Sequence, residues 1–219
     1  VTAPSRAAGN LAELARTALA VASGCAQDVR AMRTALAGLR STTGAVVADT
    51  CLRGDLGFVL LLHPRKDGCF AEELYFSARP GDGSWAAADH LSGGVTGVDP
   101  TGDRDVARML NGRPLASFGE SETALFTGRP QSDDGYESLR FHEVLVHAGT
   151  DHLDVEDLSP GADPARRRRT GKPLVSRVAL FALFPGERLT VRAMVREGTG
   201  SHPLGEPLGL TGPDAGQTG

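Results

Sequence analysis

Four arginines near the C-terminal end of this 219-residue chain have the residue type and spacing to do chemistry. Arg188, Arg192 and Arg196 recur at every fourth position, so on a strand they share one face at intervals of about 13 Å. Upstream, Val178 to Phe184 is a continuous apolar run, followed by Pro185-Gly186-Glu187-Arg188 and strict alternation to Val195. If Gly186-Glu187 forms a two-residue type II′ turn, the two runs make a hairpin with a fixed register. That register pairs Phe184 with Leu189, Ala182 with Val191, Leu180 with Ala193 and Val178 with Val195 on a core face. The other face pairs Phe181 with Arg192 and Arg177 with Arg196. Opposed like charges are unfavourable unless something neutralises them. An acidic neighbouring strand, with Glu143 and Glu72 as candidates, would do so. A bound anion or acidic ligand held by Arg177, Arg188, Arg192 and Arg196 is the rarer answer.

The run from His142 to Asp154 invites a metal reading. It is not HExxH, because three residues separate Glu143 from His147. On a strand His142 and His147 face opposite sides. His147, Asp151, His152 and Asp154 are the set that could converge around a turn, although no ligand spacing supports them. Asp99 to Asp105 has Arg104 where a calcium loop needs glycine, and Leu110 where it needs Glu. Gly119 to Thr123 lacks the second glycine of a nucleophile elbow. Ser92 to Gly97 has neither the glycine spacing nor the lysine of a phosphate loop. Arg166 to Arg169 sits in a Pro/Gly/Asp-rich stretch and reads as a solvated loop, with an acidic partner or nucleic acid as the minority reading. No pattern calls for a cofactor.

The elements that must position these residues follow from a change of hydrophobic period. Leu11, Ala18, Cys25, Met32 and Leu39 recur every seven residues, with Ala15, Ala22, Val29 and Leu36 beside them. The spacing predicts one unbroken amphipathic helix over 11–39, capped by Ser5 and stopped by Ser41-Thr42-Thr43-Gly44. Such a seam serves either assembly with another copy or a partner, or packing along the chain's own sheet. From Phe58 onward the spacing is that of strands. Phe58 to Leu62 reads as a strand buried on both faces. Phe70 to Phe76 and Trp85 to Leu91 follow, then Leu115 to Phe126 as a strand or a hairpin, then Phe141 to His147 and His152 to Val155. Gly93 to Asp105 and Ser159 to Pro173 read as loops. The expected fold class is α+β and mainly β: a long N-terminal helix over 1–44, an antiparallel β-sandwich-like domain over 45–211, and a disordered tail over 212–219.

Composition narrows the function classes. Charged residues make up 23% and the net charge is −4, which argues against broad nucleic-acid binding. The basic residues are almost all arginine, a bias that suggests a bacterial source. Ala18 to Cys25 resembles a lipoprotein cleavage site, but Glu13 and Arg16 interrupt its apolar region, so no membrane attachment is expected. Cys25, Cys51 and Cys69 have no CxxC spacing, and reduced thiols in a cytoplasm fit them. A non-enzymatic binding or interaction module, assembling through its N-terminal helix, is the expected function. The alternatives are an enzyme drawing on Asp89, His90, His142, Glu143 and Asp151, or a β domain that binds an anion through its arginine face.

Overall fold

The computed structural model describes residues 6–24, 28–81, 83–129, 134–160, 169–198 and 200–215, with side chains described from Leu11 onward. The chain is mainly β, its strand pairs are antiparallel, and it divides into two compact units. The first unit comprises Val1–Asp105 with Val175–Leu180, and the second Val106–Leu174 with Phe181–Gly219. The helical segment therefore belongs with a sheet of its own, and the boundary expected at residue 44 does not separate the units.

In the first unit, α1 (Arg6–Gly24) and α2 (Val29–Gly38) pack on a sheet ordered β1-β2-β3-β4. Its strands are β1 (Val46–Arg53), β2 (Leu56–Pro64), β3 (Phe70–Ala78) and β4 (Asp89–Thr96). The unbroken helix over 11–39 is not what forms. Ser23 turns its hydroxyl back to donate to the Leu19 carbonyl at 2.6 Å, and Gly24 is a poor helix former. Asp28, at φ −119° and ψ 86°, then starts α2 by accepting the Ala31 N–H at 2.9 Å. Cys25, the middle residue of the expected seam, lies outside the described residues, as does the expected cap Ser5.

The apolar stripe of α1 is used within its own unit. Leu14, Ala15, Ala18 and Leu19 are buried with Val47, Val59, Leu61, Tyr75 and Trp85 in one core cluster. Small side chains at 15 and 18 let the helix lie close to the sheet. Gly57 completes the fit: a Cβ there would come within 2.6 Å of Leu19 Cδ2 and 2.8 Å of the Trp85 ring. Trp85 lies outside the strand expected for it, and its indole N–H donates to Ser23 Oγ at 2.8 Å. As its continuous apolar run requires, β2 is buried on both faces through Leu62.

The second unit holds most of α3 (Asp103–Leu110) and a long hairpin of β5 (Leu115–Phe126) and β6 (Tyr136–Val146). The remaining strands are β7 (His152–Asp157), β8 (Arg169–Pro173), β9 (Val178–Leu183), β10 (Arg188–Glu197), β11 (Gly200–Pro203) and β12 (Leu208–Thr211). β9 joins β5 and β6 in one sheet, and β10 lies in another ordered β11-β10-β7-β8, with β12 also on β10. Both stretches expected to be loops therefore contain regular structure: α3 and the end of β4 in one, β8 in the other. β1 was not anticipated either.

The expected hairpin of β9 with β10 does not form. Glu187 N–H donates to the Phe184 carbonyl at 3.1 Å, and Gly186 has φ +77°. With Pro185 before it, Gly186 is the third residue of the turn, which is type II rather than II′. A type II turn splays the flanking strands instead of matching their twist, so each strand enters a different sheet. The segment from Gly212 is not a free tail as far as Ala215. Gly212 N–H donates to the Glu187 carbonyl at 2.8 Å, and Gly186 N–H to the Pro213 carbonyl at 2.7 Å. Gly212 and Pro213 are buried, and residues 216–219 lie outside the described residues.

Candidate functional site

On the arginine face Arg192 is neutralised by carboxylates, but not those expected. β10 pairs with β7, which sets Arg192 opposite Asp154. Arg192 donates through Nη1 to Glu156 Oε2 at 2.8 Å, and Arg169 of β8 approaches the same oxygen at 3.4 Å. Glu156 thus does the work assigned to Glu143 and Glu72. Arg177 is not opposite Arg196; its guanidinium pairs with Asp103 at 2.6 Å in the first unit. Phe181 carries Lys172 over its ring at 5.5 Å, where Arg192 was expected. Arg188 and Arg196 keep exposed side chains, and their backbone N–H groups donate to Ser159 Oγ and Asp151 Oδ2. Arg166 to Arg168 lie outside the described residues.

Three of the four expected metal ligands take ordinary local roles, and the fourth, His152, has a buried Nδ1 without a hydrogen-bond partner among the described residues. His147 Nδ1 accepts from Gly149 N–H at 3.0 Å, Asp151 holds the Arg196 backbone, and Asp154 lies 3.9 Å from Arg169. Among the described residues no three His, Cys, Asp or Glu side chains are arranged to hold a metal ion. The acid–base pool is divided between the two units. Asp89 and His90 lie on β4 of the first unit; His142, Glu143 and Asp151 lie in the second. His142 is buried, with Nε2 donating to the Thr211 carbonyl at 3.0 Å, so it clips β12 to β6.

Sequence reasoning missed a polar cluster on β2, β3 and β4. Glu73 lies between two imidazoles, with Oε2 at 2.6 Å from His90 Nε2 and Oε1 at 3.6 Å from His63 Nε2. The register that creates it pairs Leu61 with Glu73 and Glu73 with Gly93. A Cβ at Gly93 would stand 2.5 Å from Glu73 Oε2, so the carboxylate would have to shift to admit one. A bulge where Tyr75 meets His90 turns that imidazole toward the carboxylate. Tyr75 packs edge-on to His90 at 5.3 Å. Its burial, then the Glu73 charge, holds the phenol above its ordinary range, so it stays neutral.

The outer edge of β4 is the other feature of this face. β4 ends the sheet order, and from Leu91 to Thr96 it carries neither a charge nor a proline. Val95 on this edge is 55% exposed. The remaining sheet edges are defended differently. β1 carries Arg53, β5 carries Glu120 and Glu122, β8 carries Arg169 and Lys172, β11 and β12 have four residues each, and β9, which ends its sheet without a charge, is buried along its whole length. Charges and short length are the usual protections of an edge strand. The uncharged run was visible in the sequence, but its paired glycines read as a loop.

Known protein families, curated proteins and solved structures offer no match to this chain. No described helix is long and apolar enough to cross a membrane.

Proposed function

We propose that this chain is a non-enzymatic interaction module that receives a partner's extended strand along the outer edge of β4. The observation that carries this reading is the unprotected edge itself, eight residues long with an uncharged interior. Backbone groups on such an edge have their hydrogen-bonding capacity directed outward, and an added strand satisfies it while alternate side chains give selectivity. The N-terminal helix supports the reading less than its periodicity suggests. Assembly through α1 would need the side chains that already cover the sheet.

Selection of displayed random peptides on the full chain tests this reading. Enrichment of short, neutral, β-branched sequences is expected, and Val95→Lys should abolish their binding by placing a charge on the edge. Peptides that bind the Val95→Lys protein equally well would place the docking surface elsewhere. A selection that enriches nothing would contradict the module reading.

A further inference from the structure

We infer that the strand received by β4 is the β4 of a second copy of this chain, running antiparallel across a two-fold axis; this rests on the open edge being the docking surface. A two-fold axis normal to an antiparallel pair relates each residue to its own counterpart, so one position must face itself. Gly93 suits that position because it leaves no side chain to collide with its copy at the axis. Centring there sets Leu91 of each chain opposite Val95 of the other, giving two apolar cross-strand pairs from one symmetric contact. His90 then faces Thr96, and Asp89 faces Gly97. The two Asp89 carboxylates fall at opposite ends of the seam, roughly 26 Å apart at 3.3 Å per residue.

The symmetric placement of Leu91 and Val95 about Gly93 is what favours a copy, and charge permits it. Leu91 to Val98 is neutral throughout, so the segment presents no sign for a charged partner to complement and no like-charge opposition to itself. The only charged or titratable groups of β4, Asp89 and His90, lie at its first two positions, and antiparallel self-pairing keeps each away from its counterpart. His90 is moreover held on Glu73 of its own chain at 2.6 Å, which turns it away from the seam. The product is one continuous sheet of both copies, ordered β1-β2-β3-β4 and then the same four strands in reverse.

Sedimentation velocity of the full chain over a concentration series tests the inference. The wild type is expected to reach twice the chain mass. Val95→Lys should remain at the chain mass with an unchanged far-UV spectrum, and the neutral, β-branched Val95→Thr should keep the double mass. A wild type that stays at the chain mass at its highest soluble concentration overturns self-pairing, as does a Val95→Lys protein that still doubles. If Val95→Lys does not fold, the decision passes to the wild type: amide exchange over 91–96 should slow with concentration in step with the doubled mass, and exchange independent of concentration overturns the inference. Peptide selection separates this failure from that of the broader reading. A monomeric wild type that still enriches Val95-dependent peptides loses only the second copy as partner.

Discussion

Leu19→Ala is expected to destabilise the first unit by about 2–5 kcal/mol, the range for truncating a fully buried leucine. Leu19 has no exposed surface, and it meets Trp85 and Gly57 where α1 crosses the sheet. The chain's single tryptophan sits in that same core, so denaturant unfolding followed by its fluorescence reads the unit directly. Arg16→Ala, on the exposed face of α1, should change stability by no more than about 0.5 kcal/mol. The difference should be the same at every protein concentration, because the stripe packs within one chain. Equal losses from the two variants would mean that the stripe faces away from the sheet. A loss that grows on dilution would mean that another copy covers it.

Gly212→Ala is expected to cost about 1–3 kcal/mol, as forced overpacking does. A Cβ at this position would collide with the Phe184 carbonyl oxygen, a backbone atom that cannot rotate aside. Relief requires the segment to lift, which breaks the hydrogen bonds from Gly212 to Glu187 and from Gly186 to Pro213. Calorimetry should show the loss, and Asp214→Ala, an exposed neighbour, should show little. If Gly212→Ala is as stable as the wild type, the segment after β12 does not pack over the turn.

Burial was more legible in the sequence than partnership. Leu180 and Val191 are fully buried and Thr190 is less so, as alternation predicts, yet the first two lie on strands of different sheets. Alternation reports which side of a strand meets a core; it does not say which strand lies beside it. That was decided by Pro185, which moved Gly186 to the third turn position and reversed the turn chemistry. The helix failed in a similar way. Its apolar period runs through the break because a short interruption leaves the phase nearly intact, while the stop at Ser23-Gly24 and the cap at Asp28 are local signals. The bounds Leu115 to Phe126 were readable, but as a strand or a hairpin, and they hold the single strand β5. The His63–Glu73–His90 cluster was not, since its members share no local spacing and meet only through the register of three strands.

The edge of β4 is the central claim, and amide hydrogen exchange at single-residue resolution tests it most directly. Along an edge strand the amides facing the sheet are protected and those between them face solvent. In dilute protein the outward amides from Leu91 to Thr96 should therefore exchange rapidly while those bonded to β3 stay slow. When a strand is added, by concentration or by a selected peptide, the rapid set should slow and the amides of β1 should not change. Uniform protection of Leu91 to Thr96 in dilute protein, with no response to either addition, would contradict the account.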